Sequence, residues 1–247
     1  FVVVYGKDQT EEPEAKRKNK RQKQEEVKDR GKLRRTRRRR QAMEKKYICP
    51  QEEAAKVVVD FLEVAVTSIV FLKGVYPRGA FERRRYMNVV VHKARHPQLS
   101  DYIHSAVSGL LPFIQKGLAE RVTVIFYNPS HVPLEKFVFR LAINQSYGSK
   151  VEENELEFAL RAFLIKLSVS ESLAKPLPTG CSWEITAYFC TLPDVISKEQ
   201  LWIPTDTKQW QQPPIITPIK SMNSDPLKLQ LYLEHPSPIE PMHPVET

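Results

Sequence analysis

Hydrophobic positions outline this chain before any other property does. From Tyr47 onward they fall into regular periods, and the longest is KVVVDFLEVAVTSIVFLKGVY (Lys56–Tyr76). The stretch is apolar on nearly all sides and ends at Gly74 and Pro77, the pattern of a helix buried at the centre of a domain. FERRRY (Phe81–Tyr86) follows as a basic patch, then MNVVV (Met87–Val91) as a short candidate strand. HPQLSDYIHSAVSGLLPFIQKGL (His96–Leu118) opens with Pro97 where helices tolerate proline, and Leu99, Ile103, Val107, Leu110 and Ile114 line one face. Pro112 is expected to kink that helix or stop it early.

RVTVIFY (Arg121–Tyr127), the turn NPSHVP and LEKFVFRL (Leu134–Leu141) read as a β-hairpin. NELEFALRAFLIKLSVSESL (Asn154–Leu173) reads as an amphipathic helix with Leu156, Leu160, Phe163, Leu164 and Leu167 inward. SWEITAYFC (Ser182–Cys190) is a strand with Trp183, Ile185, Ala187 and Phe189 on one side. IITPI (Ile215–Ile219) and PLKLQLYLE (Pro226–Glu234) are further strands, the latter alternating Leu227, Leu229, Leu231 and Leu233. Between these strands, Gln200 to Pro214 obey no period, yet they hold Trp202 and Trp210, two of the three tryptophans. Polar proline-rich runs form loops and large aromatics are normally anchored, so this loop has work for its tryptophans. Three helices and several strands, segregated along the chain rather than alternating, give the α+β class and one domain.

Composition adds a boundary. Of 247 residues, 41% are hydrophobic and 27% charged, which fits a globular domain carrying a polar segment. No run approaches the roughly 18–20 apolar residues of a membrane span, and FVVVYG at the start is too short for a signal-peptide core. Three scattered cysteines form no disulfide framework and suggest a reducing compartment, cytosol or nucleus. Residues 1–46 hold 18 of the 38 Lys/Arg and 8 of the 29 Asp/Glu, which leaves 20 basic and 21 acidic residues for the rest. The whole positive excess therefore lies in residues 1–46, which read as a basic disordered tail. RRTRRRR (Arg34–Arg40) within it suits a nuclear import signal or non-specific phosphate binding. Met43, just before the compact region, leaves it open whether residues 1–42 are native coding sequence. The domain is expected over 47–235, with a proline-rich tail over 236–247.

Signatures of catalysis are missing from the sequence. The eight glycines form no phosphate-cradling loop, His92 and His96 sit between a strand and a helix start, and Cys181 and Cys190 form no CxxC. No GxSxG elbow marks a nucleophile. The sequence therefore points to binding rather than to an enzyme, and calls for no cofactor or metal.

Five stretches carry a resemblance: FLEVAVTSIVFLKGVYPRGAFERRRY (Phe61–Tyr86), HPQLSDYI (His96–Ile103), LEKFVF (Leu134–Phe139), LRAFLIKLSV (Leu160–Val169) and SMNSDPLKLQLYLE (Ser221–Glu234). In this order, across residues 51–235, they resemble the HORMA-domain family, and within it the branch of regulatory, non-catalytic subunits of DNA polymerase zeta. The resemblance implies three helices packed on an antiparallel sheet, with a C-terminal segment, the safety belt, that wraps over a partner peptide. The peptide would join the sheet as a strand, held by main-chain hydrogen bonds and a few pockets. The partners implied are a proline-containing peptide motif of the polymerase zeta catalytic subunit and the C-terminal domain of the Y-family scaffold polymerase. A HORMA homo- or heterodimer and an ATPase remodeller are implied as well, with DNA contacted only indirectly and no membrane.

Single residues carry over from the family. Tyr102 matches the tyrosine of the second helix that contacts the peptide, although its pattern alone is that of an ordinary amphipathic-helix residue. Trp202 matches the belt tryptophan packed over the same peptide, with Ile203 beside it. The family reads WIL where this chain reads WIP, and Pro204 removes a backbone donor there. Trp210 has no family counterpart, and its sequence leaves two readings, a latch against the domain body or a separate contact. Arg161 matches an arginine that mediates HORMA–HORMA dimerisation; otherwise it is a solvated charge with Glu157 as a local partner. Lys220, Lys228, Gln230 and Tyr232 match residues that receive the scaffold polymerase, and the alternation of β-strand side chains turns the last three outward.

The resemblance leads to an adaptor in translesion DNA synthesis and the DNA damage response, located in the nucleus, with the cytoplasm as a second compartment. One alternative is a spindle assembly checkpoint HORMA protein, and another is a nucleic-acid binder acting through the basic tail. The tail reading separates from the others by truncation: deletion of residues 1–42 is expected to leave peptide capture by the remaining chain unchanged in a pull-down. Loss of all binding on that deletion would move the function into the tail.

Overall fold

A computed structural model describes residues 50–146, 153–169, 177–191, 202, 205, 210, 213–225 and 227–236. All of them belong to the second of the two units into which the chain divides, Cys49–Thr247. The basic tail with Arg34–Arg40, Ile203, Pro204 and residues 237–247 lie outside the described residues.

Helix α1 (Pro50–Leu72) is the axis of the domain. Ala54, Ala55, Val58, Phe61, Leu62, Ala65, Val66, Ile69 and Val70 are all buried, so the helix is covered on nearly every side, as its apolar pattern requires. Phe61 sits edge-to-face against Phe139 of the sheet at 6.3 Å and against Phe163 of the last helix at 5.9 Å, which joins three elements through one ring. Helix α2 (Pro97–Ser108) buries Leu99, Ile103 and Val107, then gives way at Gly109–Leu110 to a short α3 (Leu111–Gln115). The break is the expected effect of Pro112, which lacks the N–H that a continuous helix would need. Helix α4 (Glu153–Val169) buries Leu156, Leu160, Phe163, Leu164 and Leu167.

FERRRY, which reads as a patch in the sequence, is a strand. β1 (Phe81–Tyr86) pairs with β2 (Val89–Ala94) in a two-stranded hairpin, and Met87 and Asn88, expected in a strand, form its turn at φ 47° and 59°. Three consecutive arginines hide the alternation because both faces of so small a sheet meet solvent around the turn. The main sheet contains β3 (Ala119–Tyr127), β4 (Pro133–Ile143), β5 (Ser182–Phe189), β6 (Ile215–Ser224) and β7 (Leu227–His235), in the order β5-β3-β4-β7-β6. Every neighbouring pair is antiparallel. Val122, Val124, Phe126, Phe137, Phe139, Leu141, Leu227, Leu229, Leu231 and Leu233 form the inner face, packed on the helices. This is the α+β architecture that the sequence calls for.

The opposite face is also covered in part: Thr123, Ile125, Tyr127, Lys136 and Val138 point away from the helices and are nonetheless 1–6% exposed. Lys73, just past α1, is 1% exposed and pairs with Glu135 at 2.5 Å, its ammonium 5.6 Å from the Phe137 ring centre. Removing Glu135 takes a close counter-charge from the buried Lys73, so Glu135→Ala is expected to lower stability by about 3 kcal/mol. Replacing both partners, as Lys73→Met with Glu135→Leu, is expected to restore most of that loss. Urea unfolding of the two variants makes the comparison.

Candidate functional site

Among the described residues β5 is an edge strand, hydrogen-bonded to β3 on one side. Ile185 stands opposite Val124 in the register, and its N–H turns away from β3 to the Tyr102 hydroxyl at 3.3 Å. The period of two directs the N–H and C=O groups of Trp183 and Ala187 outward as well. This edge therefore offers a short row of backbone groups to another extended chain.

The inner side of the edge is walled by aromatics. Tyr102, on α2, is 44% exposed and meets Trp183 edge-to-face at 5.4 Å. Trp183 Nε1 donates to the Tyr76 hydroxyl at 3.2 Å. Burial raises the pKa of Tyr102, and the Ile185 N–H offsets part of the rise, so the hydroxyl stays neutral at physiological pH and keeps its own proton to donate.

Trp202 reaches the same helix. Gly109 lies seven residues after Tyr102, two turns along one face of α2, and a Cβ there would stand 3.0 Å from Trp202 Nε1 and 3.2 Å from the Ser105 carbonyl oxygen. The missing side chain of Gly109 is what seats the indole. Trp202 also packs on the core, while its Nε1 is enclosed with no hydrogen-bond partner. Tyr102 lies at the β5 edge and Trp202 at the C-terminal end of the same helix, seven residues further on; Ile203, expected next to them, is not among the described residues.

Trp210 stands on the other side of the sheet. Its Nε1 donates to Glu234 Oε2 at 2.9 Å, and Lys136 Nζ lies 4.7 Å from its ring centre. Both partners belong to the face turned away from the helices, since Phe137 and Leu233, their neighbours in sequence, point inward. Of the two readings left open by the sequence, the latch against the domain body is the one observed. The connection from β5 to β6 therefore touches the end of α2 at Trp202 and the outer face of the sheet at Trp210.

The remaining sequence candidates occupy two further places. Lys228 and Gln230 are exposed on the outer face of β7, and Tyr232 is half-buried there. Burial, then the Glu234 charge, raises the pKa of Tyr232, while Arg121 and Arg140 oppose the rise and Arg121 hydrogen-bonds its side chain. The same guanidinium stacks over Tyr188 at 4.5 Å. Lys220 is exposed on β6, but a bulge between Pro218 and Lys220 sets it opposite Leu231, out of step with Gln230 and Tyr232. On α4, Arg161 Nε is enclosed without a hydrogen bond and forms no ion pair with Glu157. Phe158, Ile165 and Val169 are 73%, 44% and 66% exposed and make a stripe along that helix. Their spacing puts Arg161 on an apolar flank rather than on the polar face its charge suggests.

Among the described residues no cluster of His, Cys, Asp and Glu could hold a metal ion. His92 stacks on Phe71 at 3.5 Å between ring centres. Trp183, Tyr76, Gly109, Lys136 and Glu234 complete these sites without having been singled out in the sequence. Trp183 was legible only as part of one face of a strand, and Gly109 not at all.

Comparison with known proteins gives a consistent set of likenesses. The HORMA domain family model matches residues 54–182. A DNA polymerase zeta processivity subunit from Arabidopsis thaliana is 65% identical over 193 residues, covering 77% of this chain and 90% of the relative. The human mitotic spindle assembly checkpoint protein MAD2B is 34% identical over 189 residues, covering 73% of this chain and 90% of that protein. Among solved structures, a chain of the Mitotic Checkpoint Complex superposes with a TM-score of 0.63 at 18% identity, covering 74% of this chain and 98% of the other. C. elegans HTP-2 bound to the HIM-3 closure motif gives 0.62 at 8% identity, covering 76% and 92%. These two likenesses concern the fold.

The Gly109 seat has a direct check. Gly109→Val is expected to drive Trp202 from the core and shift tryptophan fluorescence to the red. The same substitution in a Trp202→Phe background is expected to give no such shift.

Proposed function

The chain belongs to the HORMA-domain family, and from that premise we propose that it is a non-catalytic processivity and adaptor subunit of DNA polymerase zeta in translesion DNA synthesis. It holds an extended, proline-containing peptide of the catalytic subunit against the β5 edge, under the segment that carries Trp202. The observation that carries the peptide reading is the edge itself: outward backbone groups at Trp183, Ile185 and Ala187, flanked by Tyr102 on α2. Addition of a strand to such an edge supplies main-chain hydrogen bonds, and the aromatics supply pockets. The assignment to polymerase zeta is supported by the relative at 65% identity that carries this name.

The second partner is the C-terminal domain of the Y-family scaffold polymerase, received by Lys220, Lys228, Gln230 and Tyr232. Exposure of Lys228 and Gln230 beside a half-buried Tyr232 supports an anchor there, and the bulge makes Lys220 a flanking contact. Arg161, among Phe158, Ile165 and Val169, is the proposed surface for a second HORMA domain, and an ATPase remodeller is the proposed means of opening the belt. DNA is reached through the partners, and the nucleus is the proposed compartment. A spindle checkpoint role is the competing reading, since relatives at 34% identity carry that name; the higher identity favours the polymerase.

Partner peptides decide between them. Capture of a catalytic-subunit peptide is expected to exceed capture of a kinetochore-type peptide, and the reverse order would overturn the assignment. Tyr102→Ala and Trp202→Ala are each expected to weaken that capture by about 2 kcal/mol, roughly thirtyfold, while the domain stays folded by circular dichroism. Tyr232→Ala is expected to spare the peptide and lose the scaffold polymerase in titration calorimetry; loss of both would indicate misfolding.

A further inference from the structure

Trp210 is the tryptophan that the peptide reading leaves without a role, and its surroundings supply one. Its two anchors sit on different strands: Lys136 on β4 and Glu234 on β7 are direct partners in the β4–β7 register. Its indole N–H binds the carboxylate of one, and its ring lies against the ammonium of the other. One side chain thus spans the seam at which the β6–β7 hairpin joins the rest of the sheet. The environment is that of a built contact rather than a surface encounter. Lys136 is 6% exposed, and burial lowers its pKa against the opposing pull of Glu234. A desolvated cation gains most from an aromatic face.

We propose that Trp210 is a positioning residue that pins the β5–β6 connection across the β4–β7 seam, so that the hairpin leaves β4 only when the indole lets go of both strands. Only four residues separate it from Ile215, the start of β6, so the pin lies close to the hairpin it restrains. Under the peptide-holding function above, on which this consequence rests, the pin sets how long a held peptide stays. The pin itself does not depend on that function.

The test uses the full chain, without any peptide, and reads hydrogen exchange strand by strand. In Trp210→Ala, which loses both the hydrogen bond and the ring, amides of β6 and β7 are expected to exchange about tenfold faster than in the parent chain. In Trp210→Phe, which keeps a ring over Lys136 but no N–H donor, the expected rise is about threefold. Amides at the β3–β5 pairing are expected to keep their rates in both variants, which separates a pin from a general loss of stability. Unchanged exchange in β6 and β7, or equal acceleration of all five strands, would overturn the proposal. Because no peptide is present, failure of the peptide reading leaves this measurement intact, and failure of the pin leaves that reading in place.

Discussion

The constraint on which the domain depends is topological. β5 and β6 are opposite edges of one five-stranded sheet, yet they are consecutive in the chain, so a single connection must travel from one edge to the other. Neighbouring strands stand about 4.8 Å apart, which makes this a journey of roughly 19 Å across the sheet. A hairpin turn could not make it, and no described helix lies along it. The periodless run with two tryptophans is what such a passage needs: polar and proline-rich chain, with aromatic footholds where it must be held. Trp202 is the foothold on the helix side, and Trp210 the one on the outer side.

Most of the core beneath that passage is closed by the helices and strands themselves, with Trp202 packed against it. Phe61 alone links α1, α4 and β4, and the inner-face residues of β3, β4 and β7 close against the helices. The β6–β7 hairpin contributes its leucines to the same core, so its pairing with β4 is anchored on the inside by hydrophobic burial. On the outside the anchoring is of another kind, a cation, a carboxylate and an indole. The sheet is therefore held to its last two strands by nonspecific force on one face and by oriented contacts on the other.

Much of this could be read from the sequence, and the gaps have physical causes. The helices and the alternating strands were legible because each buries one face against a common core, and burial writes a period into the residues. FERRRY was not, since a small two-sided hairpin needs no alternation. Gly109 was not, because its value lies in what it lacks beside a residue far along the chain. The phase of Lys220 was hidden by one inserted residue, Ile219, which a period of two cannot register. The apolar flank of α4 was legible in principle. Phe158, Ile165 and Val169 recur at helical spacing, but the stripe of Leu156, Leu160, Phe163 and Leu167 is the more continuous one and sets the helix's period.

The hydrogen bond from Ile185 to Tyr102 has a consequence for the chain in its unoccupied form. An unpaired strand edge is a template on which any extended segment, including another copy of the same strand, can grow, and soluble proteins survive by blunting such edges. Here the blunting is done by a phenol hydroxyl from a helix. It occupies the central outward donor while leaving the chain extended and the register undisturbed. A visitor must displace that hydroxyl before it can pair through the middle of the edge. The edge is thereby closed to casual encounters and stays available to a strand that brings enough contacts of its own.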